Sequence, residues 1–189
     1  MDAPPPGFRY VADFVERDEE TALLELVRAL PFSDVVMRGQ VARRRTAHFG
    51  WRYGYESFRV DPGPPIPAGL LPLRARAAAL IAVDDAALEE ALVTVYPRGA
   101  GIGWHRDAPA FGLVVGISLA SACRFRFQRG AGDRRRTAAV VLEPRSAYVL
   151  TAEARWQWQH TIPPMAAERY SITFRTLAQP RARSARTAP

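Results

Sequence analysis

The sequence predicts an α+β fold: a jelly-roll core with N-terminal helices packed on one of its sheets. Three helical patterns lie within the first 91 residues, and the pattern changes to short β segments from Leu92 onward. Turns that contain Gly, Pro or Arg separate these segments, as they do in antiparallel barrels and sandwiches. At 189 residues the chain suits a single domain, which we place at residues 1–177.

The first helix is predicted from an acidic start and an apolar stripe. Asp18 is its expected N-cap, Glu19 and Glu20 follow in the first turn, and Pro31 ends the pattern. The stripe consists of Leu23, Leu26, Val27 and Leu30. Its spacing of three and four residues is that of a helix with one buried face.

Two more helices are predicted before the β region. Residues 69–82 and 84–91 are rich in Ala and Leu, and Asp84 can cap the second of them. The prolines of residues 61–67 make that segment an extended loop. Strands are predicted at 92–96, 113–119, 123–128, 135–142, 146–150, 156–162 and 169–177.

The charge of the chain favours a polyanionic partner. The formal net charge is +7, and every basic residue is Arg. Neutralising phosphates with such residues drives affinity for nucleic acid. Runs such as residues 43–45 and 134–136 can equally be solvated loops.

Other features of composition bear on compartment and order. The single Cys123 excludes an intramolecular disulfide and fits a reducing cytoplasm, where we expect the protein. The N-terminus does not resemble a signal peptide, and no apolar run reaches the ~20 residues of a membrane span. Residues 178–189 lack an apolar pattern and are predicted to be a basic, disordered tail.

A His-x-Asp pair follows a Gly-rich turn after a predicted strand. His105 and Asp107 are two residues apart, so on an extended chain they project to the same face. A distant third ligand, His160, would complete two imidazoles and one carboxylate, the facial arrangement that holds non-heme Fe(II). Alternatively, His160 is a packed core histidine at the end of an aromatic strand.

The last predicted strand has two different faces. One face carries Arg169, Ser171, Thr173 and Arg175, and the other carries Tyr170, Ile172 and Phe174. An apolar face opposite two arginines suits the lining of an anion-binding barrel. The alternative is a solvated edge strand whose polar side chains face water.

Taken in order, these motifs resemble the AlkB-like family of Fe(II)- and 2-oxoglutarate-dependent dioxygenases over residues 48–177. The matching pieces are Thr94-Val95-Tyr96, His105-Arg106-Asp107, His160 and Arg169-Tyr170-Ser171-Ile172-Thr173-Phe174-Arg175. The family usually has Asn where this chain has Thr94 and Ser171. Both departures keep a hydrogen-bonding side chain but shorten it.

The resemblance implies a double-stranded β-helix and a set of roles. His105, Asp107 and His160 would hold Fe(II), with 2-oxoglutarate and dioxygen at the open positions. Contacts with 2-oxoglutarate would come from Arg169 at the distal carboxylate and from Tyr96, Thr94 and Ser171. Arg175 would lie near the metal end, beside Asp107 and the other carboxylate of 2-oxoglutarate. Such enzymes convert the oxoacid to succinate and hydroxylate a substrate C–H bond.

The aromatic segment upstream is a candidate substrate site. In AlkB-like proteins this region forms a lid over the substrate base, and the resemblance implies that role for Trp51, Tyr53 and Tyr55. Flat π-faces suit stacking on a flipped-out base. The alternative is that these aromatics form the core face of a hairpin.

The leading functional hypothesis is therefore oxidative dealkylation of N-alkylated bases in DNA or RNA by a monomeric enzyme. The same chemistry on a protein or small molecule is the first alternative. The second is a non-catalytic barrel that binds nucleic acid. Fold alone does not distinguish them, because function depends on the site.

Overall fold

Two antiparallel sheets form the body of the protein in a computed structural model, which describes residues 3–37, 39–54 and 59–178. Within those residues the strands are β1 Phe8–Val11, β2 Ser33–Met37, β3 Gln40–Phe49, β4 Trp51–Tyr53, β5 Val60–Pro62, β6 Glu90–Tyr96, β7 Ile102–His105, β8 Phe111–Leu119, β9 Cys123–Arg129, β10 Arg136–Leu142, β11 Ala147–Leu150, β12 Gln159–Ile162 and β13 Arg169–Leu177. The helices are α1 Arg17–Arg28, α2 Leu71–Leu80 and α3 Ala152–Trp156.

The strand order is that of a double-stranded β-helix, as predicted. The large sheet has the order β1-β11-β8-β13-β6-β3-β2, and the small sheet has the order β10-β9-β12-β7. From β6 to β13 the chain crosses repeatedly between the two sheets, and each of these strands pairs with an antiparallel neighbour. A separate hairpin is formed by β4 and β5.

The N-terminal helices cover the outer face of the large sheet, which also confirms the predicted arrangement. Leu23 and Val27 of α1 and Leu73 of α2 belong to one buried cluster with the apolar faces of β6, β8 and β13. On β13 this apolar face is Tyr170, Ile172 and Phe174. The opposite face of the strand therefore points between the two sheets, where the predicted polar residues lie.

The start of α1 differs from the prediction. The helix begins at Arg17 with Glu16 at the N-cap, and Asp18 lies in its first turn. The predicted cap at Asp18 is therefore wrong. A carboxylate in the first turn still stabilises the helix, because it faces the positive end of the helix dipole.

The predicted helix 84–91 is also wrong. Asp84 does accept a hydrogen bond from the backbone of Ala86, but only one 3₁₀ turn, Asp85–Ala87, follows it. Strand β6 begins at Glu90, because Ala91, Val93 and Val95 alternate toward the helices while the residues between them face the other way.

Two further strand predictions need correction. The predicted strand 156–162 is shorter, since Ala152–Trp156 is a helical turn and β12 begins at Gln159. Six strands, β1–β5 and β7, were not predicted. In β3 the alternation is hidden because its N-terminal half is exposed or half-buried and carries Arg on both faces.

The described part of the chain contains no helix long and apolar enough to cross a membrane. The predicted tail, apart from Ala178, lies outside the described residues.

Candidate active site

A cavity of about 680 Å³ lies between the two sheets. Its inner wall is the polar face of β13 and β6, and its opposite wall comes from β7 and β12 of the small sheet. The lining residues include His105, Asp107, His160, Thr94, Tyr96, Arg169, Ser171, Thr173 and Arg175. All the metal and co-substrate residues predicted from the sequence thus meet in one cavity.

Arg169 is a buried cation with an unused donor. Its side chain is 1% exposed, its Nε donates to Ser118 Oγ at 3.0 Å, and its guanidinium lies 5.3 Å from the centre of the Tyr96 ring. Its buried Nη1 has no hydrogen-bond partner among the described residues. A buried guanidinium with a free N–H is costly unless an anion binds it, so this end of the cavity suits a carboxylate.

Beside Arg169, three neighbouring strands of the large sheet carry a row of short hydroxyl side chains. Thr94, Ser171 and Ser118 stand side by side on β6, β13 and β8. Each hydroxyl can donate or accept, and each leaves more space than the Asn that the family usually has at two of these positions. The cavity beside these residues is therefore wider than the family resemblance alone implies.

Tyr148 lines the same cavity and was not predicted from the sequence. It comes from β11, lines the cavity, and forms a side-chain hydrogen bond with Thr173. Burial raises the pKa of the Tyr148 phenol, so its hydroxyl stays protonated. Gly116 makes room for it, since a Cβ there would lie 2.2 Å from the Tyr148 ring.

His105, Asp107 and His160 adjoin one another on the opposite wall. His105 and His160 are direct partners across β7 and β12, with ring centres 4.3 Å apart. His160 Nε2 lies 3.7 Å from Asp107 Oδ2. His105 Nδ1 is 2.9 Å from the carbonyl of Gly103, so its proton belongs on Nδ1 and the Nε2 lone pair is left for a ligand.

The three side chains have protonation states that suit a metal. Burial lowers the pKa of His105, and burial with the neighbouring His105 lowers that of His160 to about 3, so both imidazoles are neutral. Burial alone would raise the pKa of Asp107, but nearby positive charge, first from a protonated His160 and then from Arg175, lowers it to about 2. With His160 neutral, the positive charges of Arg175 and then Arg155 remain as causes of the low pKa that keeps Asp107 ionised.

The donor set fits Fe(II), although the three side chains are farther apart than the ligands of a bound ion would be. Within the described ranges, no group of three or more His, Cys, Asp or Glu side chains is arranged to hold a metal. Ligands about 2.1 Å from a metal and at right angles stand about 3 Å apart. His160 and Asp107, at 3.7 Å, would need to approach by less than about 1 Å. Two neutral imidazoles and one carboxylate are the donors of a non-heme iron site.

Asp107 contacts a buried ion pair that is formed by Arg175 and Glu90. Arg175 donates to Asp107 Oδ1 from Nη1 at 3.0 Å and to both carboxylate oxygens of Glu90, at 2.5 and 2.6 Å. His48 Nδ1 lies 3.5 Å from Glu90 Oε1. Arg175 was predicted beside Asp107, but Glu90 was not recognised, because it lay in a segment taken for a helix.

Arg155 holds the loop that follows Asp107. Its guanidinium is 2% exposed and donates to the backbone carbonyls of Ala108, Phe111 and Gly112, and at 3.4 Å to that of Asp107. One cation therefore satisfies four carbonyls, two in the loop after β7 and two at the start of β8. Nothing in the sequence around Arg155 distinguished it from the many other arginines.

The aromatic segment forms a hairpin at the outer part of the cavity. Tyr53 lines the cavity and packs against Phe111, with ring centres 6.5 Å apart. Trp51 packs on the same cluster but is not part of the lining, and its Nε1 donates to Glu89. The core-face alternative therefore describes both residues, and Tyr53 also reaches the cavity. Tyr55 lies outside the described residues.

The chain matches the family model of the 2OG-Fe(II) oxygenase superfamily over residues 7–175. It is 31% identical over 170 residues to the Mus musculus tRNA (carboxymethyluridine(34)-5-O)-methyltransferase ALKBH8, covering 87% of this chain and 25% of that protein. It is 29% identical over 182 residues to the Arabidopsis thaliana alkylated DNA repair protein ALKBH8 homolog, covering 84% and 51%. The chain thus spans about a quarter to a half of the length of these relatives.

Solved structures support the fold. The structure of OsALKBH1 matches with a TM-score of 0.72 at 15% identity, covering 93% of this chain and 99% of that one. A Pseudomonas putida prolyl-4-hydroxylase matches with a TM-score of 0.62 at 16% identity, covering 91% and 93%.

Fold, cavity and family match define an Fe(II)- and 2-oxoglutarate-dependent dioxygenase, and the chain belongs to the 2OG-Fe(II) oxygenase superfamily. Within that superfamily it is AlkB-like. Its cofactor is Fe(II), and its co-substrates are 2-oxoglutarate and dioxygen.

Proposed function

We propose that this enzyme removes alkyl groups from N-alkylated bases of DNA or RNA. The observation that carries the proposal is the outer part of the cavity. Beyond the wall formed by Arg169 and the hydroxyl row, the space continues to Tyr53, Arg52 and Arg44. An aromatic ring and two cations at the mouth suit a base with its flanking phosphates.

The inner part of the cavity would hold the metal and 2-oxoglutarate. His105, Asp107 and His160 are the residues that would bind Fe(II). When bound, the metal supplies the activation of dioxygen that turns 2-oxoglutarate into succinate and CO₂ and inserts the second oxygen atom into a substrate C–H bond. Where that carbon is an N-methyl group, the N–CH₂OH product releases formaldehyde and leaves an N–H on the base.

The other residues would orient the co-substrate. Arg169 has a free buried N–H at the end of the cavity, and the distal carboxylate of 2-oxoglutarate is the anion expected there. The phenol of Tyr96 and the hydroxyls of Thr94 and Ser171 are placed to donate hydrogen bonds along the same wall. Arg175 keeps Asp107 ionised, and the remaining open space is left for the substrate.

Charge and relatives support a nucleic-acid substrate. The net charge of +7 favours a phosphate backbone. The relatives named above are described as a tRNA methyltransferase and as an alkylated DNA repair protein, and both descriptions concern nucleic acids. The cytoplasmic location and monomeric state expected from the sequence stay predictions.

The test is formaldehyde release across a matched panel. The purified protein with Fe(II), 2-oxoglutarate and oxygen is given N-methylated DNA and RNA oligonucleotides, the corresponding nucleosides and N-methylated peptides. We expect formaldehyde and succinate in equal amounts from at least one oligonucleotide. Turnover of peptides or free metabolites, with none of any oligonucleotide, would contradict the proposal and favour a hydroxylase of proteins or small molecules.

Paired hairpin variants test which aromatic side chain contacts the base. Tyr53→Leu should lower the kcat/KM for the oligonucleotide by the equivalent of about 1–3 kcal/mol of stacking. Trp51→Leu should have the smaller effect, because Trp51 packs on the same cluster without lining the cavity. Neither change should alter the substrate-free decarboxylation of 2-oxoglutarate, which needs only the inner residues.

A further inference from the structure

We infer that Glu90 is a positioning residue for the metal site: by binding Arg175, it determines which oxygen of Asp107 is left for the metal. This inference rests on the proposed role of Asp107 as a metal ligand. Glu90 would be separated from the metal by two side chains, Arg175 and Asp107.

Glu90 is a fully buried carboxylate whose two oxygens are both occupied by the same arginine. Its side chain is 0% exposed, and it accepts from Nε and from Nη2 of Arg175. Arg175 is 3% exposed and is packed with its guanidinium 4.1 Å from the centre of the Phe111 ring. The pair therefore fixes both the position and the rotation of the guanidinium plane.

This orientation turns Nη1 of Arg175 toward Asp107. The Nε–Nη2 edge of Arg175 faces Glu90, and Nη1 donates to Asp107 Oδ1 at 3.0 Å. The other oxygen, Oδ2, faces His160 Nε2 at 3.7 Å. Asp107 thus presents one oxygen to the arginine and the other to the place where the two histidines meet.

Without Glu90, the same arginine would compete with the metal. A guanidinium forms its most favourable contact with a carboxylate through two parallel N–H bonds, and a freed Arg175 could take both oxygens of Asp107 in that way. Its positive charge would also be uncompensated beside a divalent cation. Both effects weaken metal binding, whereas a buried ion pair by itself is weak evidence of a role in stability.

The experiment measures metal affinity without turnover. Mn(II) is titrated into the metal-free 189-residue chain, and free Mn(II) is followed by EPR for the wild type, Glu90→Gln and Arg175→Met. Glu90→Gln keeps the shape of the side chain and should weaken Mn(II) affinity by about tenfold or more, as loss of outer-layer contacts does at other metal sites. Glu90→Asp should recover part of the affinity.

Two controls separate positioning from a structural role. Glu153→Gln breaks an ion pair with Arg129 at 2.8 Å, on the surface, and should leave Mn(II) affinity unchanged. In the Arg175→Met background, Glu90→Gln should cause no further loss, because Glu90 acts through Arg175.

Other results would contradict the inference that Glu90 positions Asp107. Wild-type affinity in Glu90→Gln, or losses that add in the double variant, would overturn it while leaving the proposed function intact. If Glu90→Gln does not fold, the Glu90→Asp and double variants carry the same test. A wild-type protein that does not bind Mn(II) would overturn the metal role of Asp107 and this inference together.

Discussion

At the scale of single residues, the position of Arg169 could be predicted from the sequence, and its chemistry follows from the residues around it. Alternation along β13 is enough to place it on the polar face. Its significance comes from what surrounds it: Ser118 takes one donor, Tyr96 lies under the guanidinium, and Nη1 is left buried without a partner among the described residues. Such a donor is satisfied when an anion binds.

Removal of Arg169 should therefore weaken co-substrate binding. Arg169→Ala is expected to raise the apparent KM for 2-oxoglutarate at least about tenfold, because a charge-assisted contact is worth about 2–3 kcal/mol. Arg169→Lys should recover only part of this, since an ammonium lacks the planar pair of donors. Arg126→Ala, on the exposed face of β9, is the control. An unchanged KM in Arg169→Ala would assign the distal carboxylate to another residue.

The residues that sequence reasoning missed have a common cause. Glu90, Arg155 and Tyr148 act through partners that are distant in sequence, and no local spacing marks them. Glu90 contacts a residue 85 positions later, and Arg155 contacts carbonyls more than 40 positions earlier. The predicted residues were found because motif spacing and strand alternation are local properties of the chain.

At the scale of elements, strands with strict alternation of residue type were predicted well, and β9 and β13 are examples. β6 was cut short at its start because Ala and Leu before residue 92 suggested a helix. Tertiary pairing decides this case: β6 lies between β13 and β3, which satisfy its backbone on both sides. No single-sequence propensity contains that information.

Arg155 should matter for the loop between β7 and β8. Arg155→Met keeps much of the volume but leaves buried carbonyls without a donor, so we expect a loss of about 3 kcal/mol in the free energy of unfolding. Arg129→Met, which removes only the surface pair with Glu153, should cost about 1 kcal/mol or less. Chemical denaturation of the metal-free protein measures both. Equal effects of the two changes would contradict this role of Arg155.

Gly116 and Tyr148 should behave as a coupled pair. Gly116→Ala places a Cβ into the Tyr148 ring and should destabilise the protein by about 1–3 kcal/mol through overpacking. Adding Tyr148→Ala should relieve the clash, so the double variant loses less than the sum of the single changes. Gly103→Ala is the control, since a Cβ there meets nothing within 4 Å. If the stability losses of the two single variants simply add in thermal unfolding, a Cβ at position 116 does not clash with the Tyr148 ring.

At the scale of the whole molecule, the sequence predicted the fold class but not the cavity. Helical patterns followed by many short strands indicated a jelly-roll core, and the family resemblance implied the double-stranded β-helix. The size of the space between the sheets depends on side chains from many strands of both sheets, among them Tyr148, for which Gly116 leaves room. Whether a base fits there could not be predicted from the sequence.

Oligonucleotide binding should depend steeply on salt. If arginines at the cavity mouth bind phosphates, the logarithm of the affinity for a single strand should fall with the logarithm of salt concentration, by about 0.7 per phosphate contact. A peptide nucleic acid of the same sequence has no phosphates and should show no such slope. Fluorescence anisotropy measures both ligands. A flat dependence for the oligonucleotide would contradict phosphate recognition.

The central claim is that one cavity holds Fe(II) through His105, Asp107 and His160 and 2-oxoglutarate through Arg169. Its most direct test is anaerobic addition of Fe(II) and 2-oxoglutarate to the metal-free protein, followed by visible absorption. Chelation of Fe(II) by a 2-oxoacid produces a charge-transfer band. The account predicts that this band saturates at one equivalent of each, is abolished in His105→Ala, Asp107→Ala and His160→Ala, and requires more 2-oxoglutarate in Arg169→Ala. No band in the folded wild-type protein, or an undiminished band in any of the three ligand variants, would contradict it.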